Sequence, residues 1–76
     1  MPRSFMKHET VSSMNLSSVG YDPHSRTLEV RFRNGSLYQY ADVPASVHRG
    51  LMNSPSKGSF LDSFVKKAGY KVSRIA

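Results

Sequence analysis

The chain has 76 residues, no cysteine and a formal net charge of +6. That length allows one small domain, and the lack of cysteine excludes disulfide staples and cysteine-based zinc sites. No apolar run reaches the roughly 18 residues of a membrane span, and the first ten residues lack the apolar stretch of a secretory signal, so a cytoplasmic protein without membrane contact is expected.

Residues 1–12 show no sustained period and read as a flexible tail, leaving residues 13–76 as the single domain. From Ser13 to Tyr21 the β content rises through Leu16, Val19 and Tyr21. Leu16 and Val19 have opposite parity, which a bulge near Ser17-Ser18 or an edge position would reconcile. Asp22-Pro23-His24-Ser25 reads as a turn, because Asp caps its own backbone and Pro presets φ.

Leu28, Val30 and Phe32 then alternate with polar residues, Asn34-Gly35 interrupts, and Tyr38 and Tyr40 continue the alternation. This is a hairpin of two half-buried strands, Thr27–Phe32 and residues 37–41. Its register has two solutions. A two-residue Asn34-Gly35 turn sets Arg31 opposite Tyr38 and puts both tyrosines on the face of Glu29, Arg31 and Arg33. A three-residue loop, with Gly35 left-handed, sets Val30 opposite Tyr38 and Leu28 opposite Tyr40. A one-residue slip exchanges the faces completely. A small core is short of large side chains, which favours the second register.

Pro44 suits a helix start, and Val47 and Leu51 at i, i+4 predict about two turns ending near Asn53. Gly50 within it points to a close packing contact or early fraying. Ser54-Pro55-Ser56-Lys57-Gly58 is a tight connection in which Ser56 or Ser59 can cap the next helix. That helix carries Phe60, Leu61, Phe64, Val65 and Ala68 on one stripe. Lys66 and Lys67 complement its C-terminal dipole, Gly69 suits the position after it, and residues 70–75 return as a short extended tail.

The charge is uneven. From residue 44 onward six positive side chains face one acid, Asp62. A basic half of this kind is a footprint for phosphate backbones. His8, His24 and His48 lie in three separate segments with no acidic partner at ligand spacing, so no metal or other cofactor is expected. No nucleophile elbow, phosphate loop or paired carboxylate is present, and the chain is read as a non-enzyme.

Gly20-Tyr21-Asp22, Leu28/Val30/Phe32, Gly35, Tyr38/Tyr40, Val43-Pro44 and Ser56/Gly58/Phe60 follow one another in a specific order. Together they resemble the KTSC domain, a short module named for the C-terminal domain of some lysyl-tRNA synthetases, over about residues 13–72. The resemblance implies Tyr38, Tyr40, Ser56 and Gly58 as family motif positions and RNA binding as the function. Asp62 stands where the family often has asparagine.

The expected fold is α+β: a three-stranded antiparallel meander packed on one face by two short α-helices. Its core would comprise Leu16, Val19, Leu28, Val30, Phe32, Tyr38, Tyr40, Val47, Leu51, Phe60 and Phe64. The expected function is a non-enzymatic nucleic-acid-binding module, for RNA rather than DNA. Lys57, Lys66, Lys67, Lys71 and Arg74 would contact phosphates, with Arg31 and Arg33 as a second patch. The alternative is a protein-interaction module that pairs a partner along an exposed edge, at residues 13–21 or 36–41.

Overall fold

The computed structural model describes residues 6–76. The chain forms β1 (His8–Thr10), β2 (Leu16–Asp22), β3 (Thr27–Phe32), β4 (Leu37–Tyr40), α1 (Ala45–Asn53), α2 (Lys57–Leu61) and β5 (Val72–Arg74). The α2 helix runs on into a π-helical turn over Asp62–Lys66. One antiparallel sheet holds all the strands in the order β1-β2-β3-β4-β5. The fold is therefore α+β, as expected, but with five strands rather than three.

The two extra strands are the edges. Each has three residues, too few to show a period, and each is recruited by the backbone of its neighbour. His8 pairs Gly20 and Thr10 pairs Ser18. Tyr38 pairs Arg74 and Tyr40 pairs Val72. The tail expected over residues 1–12 is thus corrected from His8 onward, while residues 1–5 lie outside the described residues. The two segments expected to be exposed edges, residues 13–21 and 36–41, are interior strands instead.

The central register follows the three-residue loop. Val30 pairs Tyr38 and Leu28 pairs Tyr40. Gly35 has φ +93°, and its N–H donates to Phe32 O at 2.9 Å. Asn34 Oδ1 accepts from the Ser36 N–H and hydroxyl, which closes the loop. The bulge expected near Ser17 is present: Leu16 pairs Phe32 but Ser18 pairs Arg31. The extra residue lets Leu16 and Val19 both turn inward despite their parity. Asp22 caps its own turn, accepting from His24 N–H at 2.9 Å and Ser25 Oγ–H at 3.0 Å.

The core lies between one sheet face and the helices. Leu16, Val19, Leu28, Val30, Tyr40 and Leu51 are buried as expected, joined by Val11, Val43, Leu61 and Val65. Phe64 is corrected: it is 57% exposed. Leu61 and Val65 turn inward, and Phe64 lies on the flank against Phe60, 4.7 Å between centroids. Gly50 is a packing position, since a Cβ there would stand 2.7 Å from Phe60 Cζ. Tyr21 ties the sheet to α1: its hydroxyl donates to Val43 O at 2.6 Å, and its ring stacks on His48 at 4.6 Å.

The opposite sheet face is polar, and it explains how β1 docks. His8, Gly20, Glu29, Gln39 and Ser73 form one row across the five strands. Glu29 is fully buried. The His8 imidazole crosses over Gly20 so that Nε2 meets Glu29 Oε1. Gln39 Nε2 donates to Glu29 Oε2 at 2.7 Å. The other His8 nitrogen meets Ser18 Oγ at 2.7 Å. Only glycine permits this crossing: a Cβ at position 20 would lie 2.8 Å from His8 Cδ2 and 2.9 Å from Lys7 O.

Three predictions follow from this packing. Tyr40→Ala should destabilise by about 3–5 kcal/mol, the range for truncating a large core aromatic, and the half-buried Tyr38→Ala by less; urea denaturation measures both. Gly20→Ala should cost about 1–3 kcal/mol by overpacking, even though position 20 faces away from the helices. A cost under about 0.5 kcal/mol, ordinary for surface sites, would mean that β1 does not hold this position. Burial against Tyr21 pushes the His48 imidazole below its ordinary value. Protonation then favours the unfolded chain, so this contribution is complete above about pH 6.5 and is lost as pH falls through the depressed folded value. Melting curves from about pH 8 to about pH 5 should show His48→Phe with a flatter acid limb than the unaltered protein.

Candidate functional site

Three adjoining grooves, which share lining residues, form a trough along one flank of the domain, where the segment before β2, the β3–β4 loop and the helices meet. Its walls are positioned by a few backbone contacts. The Arg33 N–H donates to Asn15 O at 2.9 Å, and Arg33 Nε donates to Ser13 O at 2.7 Å. Ser13 Oγ in turn accepts from the Asn15 and Leu16 N–H groups. This segment lies close to α2 because Gly58 has no side chain; a Cβ there would be 3.2 Å from Asn15 Nδ2.

On the far wall, Ser54 Oγ donates to Ser56 O and accepts from Ser56 N–H, which folds the Pro55 connection tightly. Lys57 Nζ donates to Ser54 O at 2.9 Å. Ser56, one of the two expected caps, stands at the N-cap position but makes no side-chain capping bond.

Three grooves make up the trough. The first, about 790 Å³, lies between Ser12–Asn15, Arg33 and residues 55–59. The second, about 270 Å³, shares Arg33, Asn15 and Gly58 with the first and adds Phe32 and Lys66. The third, about 380 Å³, continues from Phe32 and Lys66 to Tyr38, Tyr40, Tyr70 and Val72. Lys66 Nζ stands 5.3 Å from the Phe32 ring centre, and Arg74 Cζ stands 6.0 Å from that of Tyr38. Phe32 and Tyr38 meet edge to face at 5.6 Å.

Among the described residues, no acidic side chain lines any of the three grooves. The chain has five acids, and they are placed elsewhere. Asp22 is turned onto its own loop, where the His24 N–H holds its carboxyl below the usual range. Glu29 is buried beneath His8. Asp42 faces Arg26 at 3.4 Å and Asp62 faces Lys67 at 3.3 Å. Glu9 lies in β1. The positive charge in the trough is therefore not neutralised by a neighbour on its walls, and the site suits an extended anion.

The expected site residues are regrouped by this geometry. Arg33, Lys57 and Lys66 come together along the trough, with Arg74 at its aromatic end. Tyr38 and Tyr40 line the third groove, and Ser56 and Gly58 the first. Arg31 is separate: its guanidinium donates to Gly35 O at 2.9 Å. Lys67 is turned to Asp62, and Lys71 is exposed in the turn before β5, where its carbonyl accepts the Ala41 N–H.

The Ser18–His8–Glu29 chain was not expected from the sequence. It has the connectivity of a hydrolytic relay, but Ser18 sits inside a ladder paired on both sides, where backbone N–H groups are committed to the sheet rather than to an oxyanion. Its evident role is to clasp β1. The signal that locates it is Gly20, since a lone glycine inside a strand marks a close approach. Among the described residues no group of three or more histidine or acidic side chains could hold a metal ion. Among them, no helix is long and apolar enough to cross a membrane.

Comparison with known proteins accords with this architecture. The family model of the KTSC domain matches residues 12–70. An uncharacterised protein of Stutzerimonas stutzeri is 39% identical over 70 residues, covering 92% of this chain and 99% of that protein. A lysine–tRNA ligase of a Nostoc species is 44% identical over 51 residues, 67% of this chain but only 9% of the ligase. The crystal structure of a KTSC domain protein from Yersinia pestis superposes with a TM-score of 0.86 at 40% identity, covering 93% of this chain and 99% of that one. The chain belongs to the KTSC domain family.

Proposed function

We propose that the protein is a non-enzymatic nucleic-acid-binding module of the cytoplasm, for RNA in preference to DNA, with the trough as its interface. The observation that carries this reading is the convergence of Arg33, Lys57 and Lys66 along one trough that, among the described residues, no acidic side chain lines. Cations at intervals along a groove match a phosphodiester backbone, and the partly exposed Tyr38, Tyr70 and Phe32 at one end offer faces for bases. The lysine–tRNA ligase among its relatives has a nucleic acid in its very name, which accords with RNA as the ligand. For the protein-pairing alternative the sheet edges are β1 and β5, which pair residues 18–20 and 38–40.

Contacts of this kind position the nucleic acid without reading its sequence, so binding should be weakly specific and strongly dependent on salt. Lys57→Ala/Lys66→Ala should lower RNA affinity and flatten the slope of log K against log salt by about 1.4–1.8, the value for two lost phosphate contacts. Lys67→Ala, whose partner is Asp62, should leave the slope nearly unchanged. Fluorescence anisotropy across a salt series measures all three. Failure of the unaltered protein to bind RNA or DNA near physiological salt would overturn the proposal, as would an unchanged slope in the double variant.

A further inference from the structure

The trough is not uniform, and its asymmetry bears on the form of the nucleic acid. At one end hydroxyl, amide and cationic groups from Ser13, Asn15, Ser56, Lys57 and Arg33 alternate with the apolar Met14 and Pro55. At the other it is aromatic, with Phe32, Tyr38, Tyr40 and Tyr70 around a groove of about 380 Å³. Two of these rings carry a cation of their own. Lys66 stands over Phe32 and Arg74 over Tyr38. Each couple sets a cation beside a ring that can stack a base; the Arg74 Nε also donates to Ala76 O at 3.1 Å, which leaves its terminal nitrogens to meet a phosphate.

We infer that the trough takes a single strand, with an unpaired base seated at the Tyr38–Tyr70 end and the following phosphates along Lys66, Arg33 and Lys57. This rests on the nucleic-acid reading above and deepens it. The physical basis is steric. A duplex keeps its bases stacked inside and meets proteins through phosphates, sugars and groove edges, so recessed rings do not reach its bases. Phe32, Tyr38 and Tyr70 are half-buried in a concavity, and only a splayed base enters it. The serine and asparagine lining suits the strand beyond that base, because neutral donors contact phosphate and sugar oxygens without neutralising carboxylates between them.

The chain has no tryptophan and four tyrosines, three of which line the aromatic groove, so tyrosine emission reports directly on this end. The test uses a single-stranded oligoribonucleotide of about 12 nucleotides, within the site sizes of small single-strand binders. It compares that strand with the same strand annealed to its complement. The single strand should bind at least about ten-fold more tightly than the duplex and should quench tyrosine emission. Tyr70→Leu should lower single-strand affinity about ten-fold, the effect of one lost base–aromatic stack, while thermal unfolding shows that the variant is folded. Quenching in the unaltered protein keeps the test independent of any variant. Duplex binding as tight as single-strand binding would overturn the inference, as would binding without quenching. In both of those cases the Lys57/Lys66 salt effect would persist, so the phosphate interface would stand and only its preference for unpaired bases would fall. Absence of any binding would remove both.

Discussion

The left-handed backbone at Gly35 is the constraint from which the rest of the structure follows. It makes the β3–β4 connection a three-residue loop, and that loop places Leu28, Val30, Tyr38 and Tyr40 on one face. With one residue fewer in the loop, the tyrosines would share a face with Glu29 and Arg31 instead. The core would lose Tyr40, and the aromatic end of the trough would vanish with it. The bulge at Ser17 does the matching work on β2, bringing Leu16 and Val19 to the same side as the tyrosines. A sheet this small has no spare apolar residues, so both irregularities are needed to fill one core.

The same register gives the other face its polar row. Glu29 cannot point into the core when Leu28 and Val30 do, so it needs partners on the open side. Gln39 supplies one from β4 and His8 another from β1. A buried carboxylate is costly unless it is hydrogen-bonded, and β1 is drawn onto the sheet to meet that need. The stabilising role of the N-terminal segment thus has a polar cause rather than an apolar one.

The central hairpin, the bulge, the Asp22 turn and both helices were legible because each leaves a local mark: alternation, a parity break, a capping side chain, a helical stripe. The edge strands were not. Three residues carry no period, and the pairing of His8 with Gly20 or of Arg74 with Tyr38 is decided by the strand already in place. Phe64 was misplaced because an i, i+4 stripe two residues wide does not say which half faces inward, and here Leu61 and Val65 do. For the candidate site, composition marked the basic residues but could not sort them. Arg33 and Lys57 are distant in sequence and face one groove because Arg33 anchors the Ser13–Asn15 segment and Gly58 lets that segment approach α2. Lys66 and Lys67 are adjacent and yet differ, one over Phe32 and the other against Asp62.

The π-helical turn after α2 has a consequence for chain length. Its backbone closes five residues back, with the Lys67 N–H donating to Asp62 O at 3.1 Å. Such a turn contains one residue more than the α-turn it replaces. The helix therefore holds one extra residue between Leu61 and its end at Lys66, a stretch in which the core also fixes Val65. A relative shorter by one residue in this stretch could tighten the turn to ordinary α geometry and still deliver β5 to the edge of β4. A deletion inside β3 has no such outlet, because it would invert the faces of the sheet. Insertions and deletions among homologues should accordingly gather at residues 62–66, and Lys66, whose position over Phe32 depends on that turn, is the basic residue whose place they would alter first.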